Sequence, residues 1–302
     1  MTGGAGFLGS HLCERLVAEG YLVLCVDNLS TGVRENVAHV EGDPCFEYVH
    51  HDVTLPLQIE RRLDEVYHFA SPSSPKDFER TPLQILMAGS AGTHNVLELA
   101  LARDARFLLA SSSEVYGDPL VHPQHEDYRG NVSTTGVRSV YDEAKRYAEA
   151  LTTAYRRHRG LNAHKARIFN TYGPKTKSDD GRVVPNFISQ AIVGKPLTVY
   201  GDGTQTRSLQ YVDDLVDGVY RLMQSDEGRP VNLGNPVEHT VREIAEMVIE
   251  LSGSRSEIVY QPLPPDDPRR RCPDITRARE TLGWEPRTPA IEGLEKTLAW
   301  FG

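Results

Sequence analysis

The chain holds only four cysteines, four methionines and two tryptophans in 302 residues, and the first of these scarcities removes whole classes of protein. Cys13, Cys25, Cys45 and Cys272 lack the paired spacing of a zinc ribbon or a redox CxxC motif. A disulfide scaffold and a cysteine-built metal centre are therefore not expected, and the four are read as reduced thiols, Cys13 and Cys25 buried, in a cytosol-like, cytoplasmic setting. His50–His51 could begin a metal site, but no third ligand stands beside it, so no metal is expected. Positive charge is in deficit too: 33 Lys and Arg against 42 Asp and Glu give a formal charge of −9. That balance argues against a nucleic-acid partner and leaves the arginine group 269–271 to a small anionic ligand or a solvated edge. Apolar runs are short, so no membrane span is expected in this chain, and no signal peptide is recognisable.

What is present is a set of three segments in a telling order: GGAGFLG at 3–9, LLASSSEVYG at 108–117 and SVYDEAKR at 139–146. Tyr141 and Lys145 stand four residues apart, which on a helix places phenol and ammonium on one face. A cation beside a phenol favours phenolate, so Tyr141 is expected to fall in pKa and act as a base near neutral pH. Ser112 lies upstream, placed to hold the same substrate hydroxyl. Gly3, Gly6 and Gly9, with Phe7 and Leu8 opening the next helix, let backbone amides approach a pyrophosphate. Asp27 closes the second strand where a ribose would lie; its carboxylate accepts from both ribose hydroxyls and repels a 2′-phosphate, selecting NAD over NADP. Only Met1 and Thr2 precede the loop, so the strand that normally leads into it is expected to be missing or truncated, and an incomplete N-terminus is the favoured explanation.

The first half alternates strand and helix, as in an α/β, Rossmann-like, doubly wound parallel sheet. Strands are predicted at 22–28, 46–53, 65–71, 107–113 and 164–170, the last closing the parallel set, with long helices at 83–103 and 139–158. From Tyr172 onward, glycine and proline break the pattern and a smaller C-terminal substrate-binding subdomain is expected. The division is 1–172 for the dinucleotide domain, with 206–229 returning to it, and 173–302 for the subdomain. Gly20 and Gly253 are predicted helix stops.

These motifs resemble the extended short-chain dehydrogenase/reductase superfamily of sugar-nucleotide enzymes over almost the whole chain. Dehydratases of that superfamily carry Thr-Asp-Glu where this chain has Ser112-Ser113-Glu114, so the acid that expels a C6 hydroxyl is absent. SSSEVYGDP, VYDEAKR, ARIFNTYGP, DGRVVPNFI, LTVYGDGTQTRS and RRRCPDI are together similar to the UDP-glucuronate decarboxylase family. That resemblance implies NAD as cofactor and UDP-glucuronate as substrate, with oxidation at C4, loss of carbon dioxide and re-reduction. It implies catalytic roles for Tyr141, Lys145, Ser112, Ser113, Glu114 and Arg271, the last two in decarboxylation. Asn28, Asp52, Val53, Ala70 and Ser71 are the further cofactor contacts it suggests, Asp52 serving the adenine or simply capping a strand end. Asn170, Arg182, Asn186, Tyr200, Arg207 and Arg271 are the implied substrate contacts, Arg207 on the diphosphate. A homodimer through helices 83–103 and 139–158 is implied as well. The chain departs from the family at Lys175-Thr176, at 133–137 and at Cys272, where lysine is usual. A UDP-sugar 4-epimerase is the alternative enzyme, and a non-catalytic NAD or sugar-nucleotide sensor the alternative outside enzymes.

Overall fold

The computed structural model describes residues 1–262 and 270–302. Its main sheet is parallel and runs in the spatial order Phe46–His50, Val23–Asp27, Glu65–His68, Arg106–Ser112, Ala163–Ile168, Pro230–Leu233. The place between Val23–Asp27 and Glu65–His68 is held by the first three residues. Thr2 forms parallel bridges to both Val26 and His68, the Thr2 amide donates to Tyr67 O at 2.9 Å, and the Gly3 amide to Val26 O at 2.8 Å. The sheet is thus continuous where a missing strand was expected to open it. Arg106–Ser112 lies at the centre with all but its first residue buried, as a parallel strand covered on both faces must be.

Helices Phe7–Ala18 and Val212–Gln224 pack together on one face. Val212–Gln224 buries Leu215, Val219 and Leu222 along one stripe, the 3.6-residue period of an amphipathic helix. The other face carries Ser139–Arg159 and a segment predicted as one helix over 83–103. That segment is Pro82–Met87, a π-helical turn Ala88–Gly92 and Thr93–Ala102. At the turn the two helices nearly touch: a Cβ on Gly89 would lie 2.7 Å from the Ala144 Cβ.

Two further segments join the parallel sheet and its flank beyond 206–229. Pro230–Leu233 extends the parallel sheet beside Ala163–Ile168, so the set does not close at residue 170 as predicted. Helix Thr276–Leu282 packs on that added strand. Helices Val183–Ile192, Val241–Ser252 and Ala290–Phe301 pack on one another. Val241–Ser252 starts with a reciprocal Thr240–Glu243 capping box and stops at Gly253, φ +62°, the left-handed turn glycine accommodates.

Candidate active site

A cleft of about 700 Å³ runs from the glycine loop to Arg271. At its base, Gly3 has φ +72° and a Cβ there would meet the Ala70 amide nitrogen at 2.6 Å, while a Cβ on Gly9 would lie 2.0 Å from Gly3 O. No larger residue fits either place. Gly6 has a single such neighbour, at 3.3 Å, and lines the cleft. Helix Phe7–Ala18 starts directly after it with no side-chain cap and no acidic residue in its first turn. Its amides and positive dipole end are therefore available to a phosphate. This cradle fits a dinucleotide pyrophosphate.

Asp27 is buried at the end of its strand, accepting from the Ala5 amide on Oδ2 at 2.9 Å and from the Leu29 amide on Oδ1 at 2.8 Å. It ties the glycine loop to the sheet, and each oxygen keeps a second lone pair for a ribose hydroxyl. Asp52 is more fully engaged. Its Oδ1 accepts from the Thr54 amide and hydroxyl, both at 2.8 Å, and its Oδ2 from Asn28 Nδ2 at 3.1 Å. Burial alone would raise the Asp52 carboxyl; these hydrogen bonds outweigh it and hold the group below its ordinary value. That is the capping arrangement weighed from the sequence. Val53 is buried in the core. Ser71 lines the cleft, whereas Asp27, Asn28, Asp52, Val53 and Ala70 are not among its lining residues.

Tyr141 and Lys145 share the cleft face of helix Ser139–Arg159 and are 6% and 7% exposed. Lys145 Nζ donates to Ala110 O at 3.0 Å and sits 5.5 Å from the centroid of the Tyr141 ring. Phe78 stacks on the same phenol with centroids 5.2 Å apart. Burial pushes Tyr141 up to about 12, with Ser112 hydrogen bonding and the Arg182 charge pulling it down. Burial likewise brings Lys145 down to about 8. The expectation that Lys145 depresses the tyrosine is thus not met in this geometry. Its ammonium is turned to a main-chain carbonyl and lies over the ring, and Arg182 is the cation that acts on the phenol. Ser112 Oγ accepts from the Glu114 amide at 3.2 Å, which leaves its own hydrogen to point at Tyr141.

Glu114 lies in the 3-10 turn Ser113–Tyr116 that follows the central strand. Arg271 Nη1 donates to its Oε1, and Arg138 Nη2 to its Oε2 at 2.6 Å. Arg271 also donates to Gly117 O at 3.0 Å and is 4% exposed. Burial would raise Glu114, but Arg271 and Arg138 prevail and hold it at about 2. Two guanidiniums on one carboxylate leave this end of the cleft with a net positive charge, which suits an incoming carboxylate. Asp142 is raised to about 7 by burial and then by Glu114, so the neighbourhood holds two acids set far apart in pKa.

Asn170, Arg182, Asn186, Tyr200 and Arg207 converge on the cleft with Ser113 and Arg271. Arg182 Nη2 is anchored on Ser73 O at 2.7 Å and Ser73 Oγ at 3.1 Å. Arg207 Nη1 donates to Thr206 O at 2.8 Å. Tyr200 is 43% exposed at the rim. Of the arginines at 269–271, Arg271 reaches the cleft, Arg270 is exposed and Arg269 lies outside the described residues. Arg138 was missed in the sequence, although it stands three residues before Tyr141 and so on the same helical face. Lys175, one of the departures, is tied to Glu14 and to Asn36 O at 2.9 Å and lines the cofactor end.

Residues 1–297 match the family model described as GDP-mannose 4,6 dehydratase. A protein named UDP-glucuronic acid decarboxylase 1 from Danio rerio is 52% identical over 301 residues, covering 100% of this chain and 72% of its own length. UDP-glucuronic acid decarboxylase 2 from Arabidopsis thaliana is 52% identical over 294 residues, 97% of this chain and 66% of its own length. Among solved structures, UDP-glucose 4-epimerase from Thermotoga maritima superposes with a TM-score of 0.90 at 29% identity, covering 99% of this chain and 97% of that one. A dTDP-glucose 4,6-dehydratase from Streptomyces venezuelae, solved with NAD bound, gives 0.89 at 27% identity, covering 99% and 95%. The chain belongs to the extended short-chain dehydrogenase/reductases and, within them, to the UDP-glucuronic acid decarboxylase family.

Proposed function

We propose that this protein converts UDP-glucuronate to UDP-xylose with NAD as cofactor. The observation that carries the reading is Glu114 held between Arg138 and Arg271 beside Tyr141, a charged apparatus that oxidation at C4 alone does not require. The names of the relatives, at about half identity over the whole chain, support the same substrate.

NAD fits the glycine cradle and Asp27, and when bound it supplies the hydride acceptor and donor for C4. Ser112 holds the C4 hydroxyl and Tyr141 takes its proton. Because burial keeps the phenol high, reaching the base form depends on the Ser112 hydrogen bond and the Arg182 charge that pull it down. A ketone at C4 is β to the C6 carboxylate, so carbon dioxide leaves with its bonding electrons delocalised into an enolate, and no metal is required for that step. Arg271 holds the carboxylate and then faces the oxyanion charge, Glu114 stays ionised between its two arginines and fixes their position, and the enolate takes its C5 proton from solvent. Tyr141 returns a proton to the C4 oxygen as the pentose is reduced.

The proposal includes a homodimer through helices 83–103 and 139–158. Leu83, Leu86, Met87 and Tyr147, exposed on these adjoining helices, support that face.

Incubation with NAD and UDP-glucuronate, with product analysis, is the test. UDP-xylose and carbon dioxide in equal amounts support the reading. Interconversion of UDP-glucose and UDP-galactose without decarboxylation would favour the epimerase, and NAD binding with neither activity a sensor.

A further inference from the structure

We propose that His122, Glu238 and Cys272 form a binding site for a borderline-soft divalent cation of the zinc type. Their donor atoms all lie within 4.8 Å of one another, and His122 Nε2 is 2.9 Å from Glu238 Oε2. Zinc bonds of roughly 2.0–2.3 Å set tetrahedral donors about 3.3–3.8 Å apart, so binding would draw the outermost of these donors inward by about 1 Å. The mixture of imidazole, carboxylate and thiolate selects against magnesium and calcium, which take oxygen alone. Three protein donors leave a fourth position for water. No spacing motif announces the site, because the three residues lie far apart in the chain.

The surroundings hold the donors in place without an ion. The Gln124 amide donates to Cys272 O at 2.9 Å, and the Cys272 amide to Gln124 Oε1 at 2.9 Å, so the loop of His122 is already joined to the segment that carries the thiol. Gln124 is fully buried and its Nε2 donates to Val121 O at 2.7 Å. Glu238 is fixed by pairing with Ser208 and by the Thr206 hydroxyl on Oε1. Supports of this kind orient ligands and raise metal affinity. The Cys272 thiol donates to Pro236 O at 3.4 Å; on coordination that proton passes to solvent and sulfur binds as thiolate.

The ion would join three segments that each bear on the substrate end of the cleft. Glu238 sits on the strand whose His239 pairs with Arg207, Cys272 adjoins Arg271, and Arg271 bonds Gly117 at the head of the loop that carries His122. The site therefore goes beyond the decarboxylase reading and does not depend on it.

The test uses the tag-free full chain with Zn²⁺ alone by calorimetry and Co²⁺ alone by absorbance. One ion per chain is expected, with a thiolate-to-cobalt charge-transfer band in the near ultraviolet. His122→Gln, a surface change, and Cys272→Ser should each weaken binding at least tenfold, and the metal should raise the melting temperature of the parent but not of the variants. Absence of the thiolate band in the parent, or unchanged affinity in both variants, overturns the site. None of these readouts involves turnover.

Discussion

Arg271 and Glu114, 157 residues apart in sequence, form a buried ion pair at the end of the central strand. Leaving either charge alone in that setting is costly, on the order of 3–5 kcal/mol for a broken buried pair. Arg138 keeps Glu114 compensated if Arg271 is changed, whereas a change at Glu114 deprives both arginines of their carboxylate and should lower the melting temperature more.

Glu114→Gln removes charge at constant size, and Arg271→Lys keeps charge but loses the planar fork. Each should slow carbon dioxide release by about 10²-fold or more, with UDP binding by calorimetry changed far less. Release at the parent rate in both variants would refute their roles in decarboxylation.

Tyr141→Phe deletes the phenolic oxygen and keeps the stack on Phe78. Oxidation at C4 should be abolished while NAD affinity stays within a few-fold of the parent. UDP-xylose formed at near the parent rate would remove Tyr141 from the mechanism.

Lys145→Met should stabilise the cofactor-free protein while abolishing turnover. The fall from 10.5 to about 8 corresponds to about 3 kcal/mol of desolvation cost, against about 1 kcal/mol for the lost hydrogen bond to Ala110. The sign also sets a pH dependence. The unfolded chain holds this proton up to its higher pKa, so the parent gains stability from this group as pH rises between about 8 and 10.5. Urea unfolding at pH values below and within that window should show the variant lacking the gain; equal slopes would contradict the assignment.

Asp27 should make NAD bind at least tenfold tighter than NADP, by repulsion of the 2′-phosphate. Asp27→Asn should narrow that ratio and lower the melting temperature, since the Ala5 and Leu29 amides each need an acceptor. Comparable binding constants for the two cofactors in the parent would count against the carboxylate's role.

The glycine loop, the Tyr141–Lys145 pair and most sheet strands were legible because they follow local rules: helical spacing, buried apolar runs and glycine at forced backbone angles. Pro230–Leu233 was not, since four residues after a polar turn carry too little pattern to distinguish a strand from a loop. Its pairing with Ala163–Ile168 is a tertiary fact. Arg138 went unnoticed because the fold alone brings Glu114 to it across 24 residues. The pKa of Tyr141 came out opposite to expectation because helical spacing reports that two side chains share a face, and says nothing of which way an ammonium turns or how deeply a phenol is buried.

Gly89 and Ala144 touch where the π-helical turn meets the helix that bears Tyr141 and Lys145, and Ala144 is the residue immediately before that lysine. Nothing compressible lies between the two backbones there. The reacting pair is therefore mechanically coupled to the outer helix, so a wedge as small as one methyl group at position 89 would be transmitted to the catalytic side chains as a displacement, without altering any residue that faces the cleft.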